Sequence, residues 1–341
     1  MRDAIRAGLL GFGLFAFAPA TRSDDAEDQA VKILEKRQAS FDRDKDKPGK
    51  PVTSIHNGSR ITDADLKELA ALKELRSLSL IDANVTDAGL KVVINFKKLR
   101  DLHLGRTRVT EAMLKDLAGL DELTFLGLHS TRVADLRDLP VLARLTDLYL
   151  HDTPISDESL KPLSRFKALV RLDLSYTKVT DAGLKHLADL KELGDVRLEK
   201  TRVTGTGFKE IAGLDIRLLE LKGSPVTDAG LKEIVRQRRL RWLGLSETKV
   251  TDAGLKELAA HKREMDRLQL ASTAITDAGL RELAGLQLGE LDISFTAVTD
   301  AGLKELAKVD GLKRIIAYKT KVTATGIADL KKSRPNCEIF R

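Results

Sequence analysis

A ten-residue phrase, Val250-Thr-Asp-Ala-Gly-Leu-Lys-Glu-Leu-Ala259, returns unchanged at Val298–Ala307. Near copies stand at Val179–Ala188, with His186 for Glu, and at Ile275–Ala284, with Arg281 for Lys. The Val or Ile that leads the phrase falls at 61, 85, 109, 133, 155, 179, 203, 226, 250, 275, 298 and 322, at intervals of 22 to 25 residues. A fixed period of this size marks a solenoid, in which each unit buries its apolar side only against its neighbours. The 341 residues therefore build one stacked core rather than two ordinary globular domains.

Each repeat divides into two halves. The phrase opens a helix: Thr is placed as an N-cap, Asp follows where a negative charge meets the positive helix end, and Leu-Lys-Glu-Leu-Ala continues with good helix formers. The second half is an L-x-x-L-x-L stretch, as in Leu99-Arg-Asp-Leu102-His-Leu104 and Leu169-Val-Arg-Leu172-Asp-Leu174. Its alternation is that of a strand with two inward Leu. Two residues before each leading Val or Ile stands Thr107, Thr131, Thr153, Thr177, Thr201, Ser224, Thr248, Thr273, Thr296 or Thr320, with only Ala83 breaking the column. These hydroxyls are expected to satisfy backbone groups where the strand turns away.

The pattern resembles the leucine-rich repeat family. It is most similar to the subtype written L-x-x-L-x-L-x-x-C-x-x-I-T-D-x-G-L, with Thr in place of Cys, and to exported repeat proteins of planctomycete-type bacteria. The resemblance covers residues 51–341 and implies an α/β fold: a right-handed solenoid, or horseshoe, with parallel strands on the concave face and helices on the convex face. It also implies protein binding on the concave face. Eleven or twelve strands at ~4.8 Å each would give a sheet roughly 55 Å long.

The N-terminus is separate. Arg2 and Arg6 precede the apolar run Ala7–Phe17, 11 residues long, well short of the ~20 needed to span a bilayer. Ala18-Pro19-Ala20 fits a small-x-small cleavage pattern. Residues 1–20 are expected to be a signal peptide, with export to a periplasm or to the outside and no transmembrane segment after cleavage. Residues 21–50 are expected to be a charged helical cap, with a helix over Asp24–Arg37. His56 stands where later repeats carry an inward Leu, so the first strand is expected to be irregular.

No G-x-S-x-G, G-x-x-x-x-G-K-[ST], H-E-x-x-H or C-x-x-C occurs. No enzyme activity and no cofactor are expected. Aromatic residues are 4% of the chain, yet the third, fifth, seventh and eighth positions of L-x-x-L-x-L-x-x-T hold Phe125, Tyr149, Tyr176, Trp242, Phe295 and Tyr318, every Tyr and the only Trp among them. Those positions face the concave side or its rim, and Tyr and Trp dominate interface energetics. Leu218 and Trp242 share a position on adjacent strands and predict a second apolar patch. Three of the six histidines, His103, His129 and His151, fall in consecutive repeats on the same face, with Tyr149, Asp152, Asp173 and Tyr176 expected nearby. Two imidazoles one strand apart could share a metal, so a metal or hydrolytic site is the lesser alternative; binding of an envelope polysaccharide is the other. The repeat between His129 and His151 is the shortest, and Val133-Ala-Asp-Leu-Arg-Asp-Leu-Pro140 replaces the phrase there, which predicts a short or missing helix.

The chain carries a formal net charge of +7. On the concave face, however, eleven acidic side chains, Asp101, Asp147, Asp195 and Glu220 among them, stand against eight basic ones, Arg171 and Arg197 among them. A nucleic-acid binder would gather its basic excess in one groove, so a nucleic acid is not the expected partner. A monomer that binds a protein on its concave face is.

Overall fold

The computed structural model describes residues 22–261 and 263–341; the expected signal peptide, 1–20, lies outside them. One open sheet runs through the molecule in strict chain order. Its strands are β1 (Phe41–Arg43), β2 (Val52–Ile55), β3 (Ser77–Ser79), β4 (Asp101–His103), β5 (Phe125–Gly127), β6 (Asp147–Tyr149), β7 (Arg171–Asp173), β8 (Asp195–Arg197), β9 (Leu218–Glu220), β10 (Trp242–Gly244), β11 (Glu264–Gln269), β12 (Gln287–Asp292), β13 (Arg314–Ile316) and β14 (Glu338–Phe340). Fourteen strands exceed the eleven or twelve expected from the repeat count, because the entry segment and the last partial repeat also pair. β1 meets β2 antiparallel, and every later pair is parallel. The register never slips among the parallel strands: Leu78, Leu102, Leu126, Leu148, Leu172, Val196, Leu219, Leu243, Leu268, Leu291 and Ile315 line up across the sheet, all buried. Any one-residue shift would turn this column outward.

At the N-terminal end α1 (Arg22–Lys36) buries Ala30 and Leu34 in the same core. Arg37 ties it to Asp65 of the first repeat at 2.8 Å. The entry is irregular as expected, with a register shift between Asp42 and Arg43 where β1 meets β2, but the placement of His56 is corrected. Ile55, not His56, takes the inward place, opposite Leu78. His56 turns to solvent and meets Asp42 at 2.6 Å.

The convex side carries α-helix at Asp63–Leu69, Asp228–Ile234, Asp252–Ala260, Asp277–Glu282, Asp300–Glu305 and Ala324–Ser333, with single α turns at Asp87–Leu90 and Asp181–Leu184. At Glu111–Leu117, Glu158–Arg165 and Thr206–Ile211, where the phrase is altered, the backbone forms 3₁₀ turns instead. The repeat that begins at Val133 has no helix. It lacks the Thr cap and the Gly, and Pro140 cannot donate a helical N–H.

Two sets of polar bonds recur along the solenoid. The first was expected and lies within each repeat: the hydroxyl column is buried, and each Thr donates to the carbonyl three residues back, Thr107 to Leu104 and Thr248 to Leu245, both at 2.6 Å. The second was not. The Asp of the phrase does more than face the helix end. Asp277 accepts from the backbone N–H of Thr299 in the next repeat at 2.8 Å and from its hydroxyl at 2.7 Å. The same pair of bonds joins Asp63 to Thr86, Asp87 to Thr110, Asp157 to Thr180, Asp181 to Thr204, Asp228 to Thr251, Asp252 to Thr276 and Asp300 to Thr323. The Gly two residues after Asp87, Asp181, Asp228, Asp252, Asp277 and Asp300 lies against the joint of the repeat before it in most cases. A Cβ at Gly279 would overlap the Asp252 carboxylate, and Gly302 stands in the same relation to Asp277. The ladder fails where the phrase fails. Glu111 reaches only Ala134 N–H at 3.4 Å, Asp135 turns to its own Arg137, and Gly205 has no side chain to offer Thr227.

Candidate functional site

The sheet side away from the helices presents the third and fifth positions of each repeat. On β4 to β6 these side chains form one aromatic run. His103 on β4 lies 4.3 Å, ring centre to ring centre, from Phe125 on β5, and Phe125 stacks on Tyr149 of β6 at 5.1 Å. The run crosses from the fifth to the third position and back, because Gly127, opposite both His103 and Tyr149 in register, leaves the space that Phe125 leans into. All three rings are half-buried.

Beside this run, in the turns that follow β5 and β6, His129 and His151 stack face to face at 4.5 Å with 5° between their planes. A Cβ at Gly105 would fall inside the His129 ring, so the missing side chain there makes room for the stack. Nδ1 of His151 sits 3.2 Å from Asp173 Oδ2, close enough for an ion pair but out of line for a hydrogen bond. Asp173 is 8% exposed and accepts from Ser175 N–H. Burial alone would raise its pKa; His151 and Ser175 outweigh that and hold it below the usual carboxylate range. Burial holds His103 and His129 below the usual imidazole range, and the facing His151 adds to the effect at His129. Burial likewise raises the Tyr149 hydroxyl.

The three histidines do not form the single cluster expected from their spacing. His103 belongs to the Phe125–Tyr149 run, and His129 and His151 pair with each other. Ring nitrogens donate in the plane of the ring, so two parallel stacked rings aim their lone pairs side by side rather than at one point. No group of three or more His, Cys, Asp or Glu suited to a metal exists among the described residues. The metal alternative lacks a convergent set of donors.

The remaining expected residues fall on the rim. Asp152, Tyr176 and Phe295 occupy the eighth position, and Tyr318 the seventh. Tyr176, Phe295 and Tyr318 are 55%, 60% and 46% exposed. The eighth position holds a feature that the sequence does not announce. From Asp82 through Arg106, Ser130, Asp152, Tyr176, Lys200, Glu247, Ser272 and Phe295 to Lys319, it is left-handed, with φ between 52° and 62°. Gly223 is the one glycine of the column, at φ 69°. The turn aims each N–H back along the sheet at the next repeat, as from Tyr176 to the Glu199 carbonyl at 2.7 Å. Side chains other than Gly pay roughly 1–2 kcal/mol for this conformation, and an aromatic ring held there in solvent gains no burial in return.

Trp242 does lie beside Leu218 across the β9–β10 pair, as expected. Arg267 covers its ring at 5.8 Å, and its Nε1 is buried without a partner. Sequence reasoning passed over Asp195 and Glu220 as members of a mixed face. Asp195 lies 3.5 Å from Arg197 but keeps Oδ1 buried and unbonded. Glu220 is 6% exposed. Burial raises both carboxyls above their usual range, and the neighbouring Glu199 adds to it at Glu220.

The family model described as "Leucine Rich repeat" matches residues 168–188 and 288–307. No curated protein matches the chain. Among solved structures, an internalin of Listeria monocytogenes is similar over 92% of this chain and 94% of its own, with a TM-score of 0.62 at 19% identity. A leucine-rich repeat protein of Leptospira interrogans is similar over 81% and 80%, with a TM-score of 0.52 at 19% identity. The mouse RP105/MD-1 complex holds a chain similar over 79% of this one and 47% of that one, with a TM-score of 0.60 at 19% identity. At this identity the likeness concerns the fold.

Proposed function

The chain is a leucine-rich repeat protein, and from that premise we propose that it is a binding scaffold, not an enzyme, which holds a protein partner on the concave face between β4 and β9. The observation that carries this reading is the half-buried ring run His103–Phe125–Tyr149 on the side of the sheet away from the helices. Rigid rings lose little conformational entropy on contact and offer large apolar area, which is why aromatic residues anchor interfaces. Tyr176 on the near rim extends the anchor. The RP105/MD-1 neighbour, itself a complex, lends support by fold alone.

The test is capture of the native partner on immobilised wild-type chain, followed by affinity measurement with Tyr149→Ala and Tyr176→Ala. Each should weaken binding by at least about 1 kcal/mol, some fivefold. Unchanged affinity in both would sink the concave reading. Retention of an envelope glycan with no protein would replace it with the polysaccharide reading. We propose in addition that the protein is exported. No helix among the described residues is long and apolar enough to cross a membrane. Sequencing the N-terminus of protein from its native host should find Thr21; finding Met1 would overturn export.

A further inference from the structure

We infer that the partner meets this floor with a basic segment, placing Arg or Lys side chains against Asp195 and against Glu220. This rests on the concave-face reading and adds the chemistry of the occupant.

The inference starts from charge. The protein is basic overall, at +7, but the third and fifth positions of β4 to β9 run the other way. They hold five carboxylates, Asp101, Asp147, Asp173, Asp195 and Glu220, against the guanidinium groups of Arg171 and Arg197. Arg171 is taken by Asp147, which is 4% exposed. Arg197 Nε pairs with Asp195 Oδ1 only at a long 3.5 Å, which leaves that buried oxygen without a hydrogen bond.

Glu220 is the sharper case. It stands opposite Arg197 in the β8–β9 register yet makes no ion pair within 4 Å among the described residues. Its side chain leans the other way, over Gly244, where a Cβ would overlap the carboxylate. There it accepts one backbone bond, from Lys222 N–H at 3.0 Å. The equivalent bond from the seventh-position N–H serves Asp173 and Asp292 at 2.9 Å, so this bond is a feature of the turn. Asp292 likewise has no ion pair but is only half-buried; Glu220 is set apart by being buried, at 6% exposed, with no counter-ion within 4 Å among the described residues. A buried carboxylate without a counter-ion is unfavourable, and burial weakens both acids in the free protein. A partner cation would relieve that cost at Glu220, and a second basic side chain would supplement the long Arg197 pair at Asp195.

β11 to β14 show what the floor looks like when it needs no partner. Arg267 and Arg314 share Glu290 at 3.2 and 3.4 Å, and Arg314 also holds Glu338 at 3.0 Å. Those charges satisfy one another.

The experiment uses the full chain and two labelled twelve-residue peptides of one Gly/Ser/Leu scaffold, one with four Arg and one with four Glu, followed by fluorescence anisotropy. The Arg peptide should bind at least about tenfold tighter at low salt. The double variant Asp195→Asn, Glu220→Gln should abolish that preference with its melting temperature retained, while Glu290→Gln should leave it intact. No binding of the Arg peptide at about millimolar concentration, equal binding of both peptides, or a preference that survives the double variant would each overturn the inference. The effect of Tyr149→Ala on the native partner is read separately, so the concave reading can stand where the basic segment fails.

Discussion

From Asp228 to Thr323 four consecutive Asp–Thr joints tie α-helical repeats together. From Glu111 to Ser156 two consecutive joints are missing and one repeat has no helix. The concave sides of these two stretches differ in the opposite sense. Where the back is regular, the floor is a set of mutually paired ions around Glu290. Where the back is broken, the floor carries the Phe125–Tyr149 stack and the His129–His151 pair. The sheet register and the hydroxyl column run through both without interruption. The strand half of a repeat thus holds the solenoid together even where the helix half lapses.

The largest expected effect comes from filling the space beside an Asp–Thr joint. In an isolated helix Gly→Ala gains about 1 kcal/mol. At Gly279 the new Cβ overlaps the Asp252 carboxylate, so Gly279→Ala should destabilise by about 3 kcal/mol. Gly213→Ala, which meets nothing within 4 Å, should be neutral or slightly stabilising. Urea unfolding of both variants decides the sign; equal behaviour would dissolve the spatial account of the repeated Gly.

Removing the joint itself comes next. Asp277→Ala leaves Thr299 N–H and its hydroxyl without their acceptor and should cost about 2 kcal/mol. Asp135→Ala in the broken stretch loses only exposed contacts with Arg137 and should stay within about 0.5 kcal/mol. If the two cost the same in chemical denaturation, the difference between the stretches is cosmetic. Hydrogen exchange sharpens the same point: amides between 128 and 146 should exchange faster than those between 250 and 310.

The hydroxyl column should not distinguish the stretches at all. Thr131→Val and Thr248→Val each lose one buried bond to a carbonyl three residues back, and each should cost about 1 kcal/mol. A clear inequality in melting temperature would show that the strand half is not uniform either.

The smallest effect is on pH. The folded-state pKa of His129 lies below its ordinary 6.5, so below that pH the unfolded chain binds a proton that the folded chain resists. Stability should therefore be intact above about pH 6.5 and decline as pH falls through the window beneath it. Burial moves His103 the same way. Replacing His129 by Gln should flatten the decline between pH 7 and 5 in thermal melts; an unaltered slope would remove the stack as its source.

What was legible in the sequence follows from what repeats. Leu spacing, the Thr cap and the hydroxyl column recur in almost every unit, and each maps onto one local geometry. The position of Phe125, Tyr149 and Trp242 on the open face followed from strand alternation alone. The Asp–Thr ladder did not, because its partners lie 22 to 24 residues apart and Asp at a helix start already has a sufficient local reason. The left-handed column was hidden for a related cause. Its residues are Asp, Arg, Ser, Tyr, Lys, Glu and Phe, and only Gly223 hints at the backbone they share. Grouping the three histidines failed because position within the repeat, fifth against seventh, decides which neighbour a ring meets.

The Asp–Thr joint bears on how such a chain grows. Each joint takes its acceptor from one unit and its donors from the next, so any intact unit carries both halves of the connection. A stretch copied in register into its own neighbourhood finds matching surfaces on both sides without compensating changes. Deletion of one unit heals in the same way. The phrases at Val250–Ala259 and Val298–Ala307 are identical, so the units that carry them present the same joint. Lengthening or shortening this protein by whole units should then change the extent of its open face long before it threatens the fold.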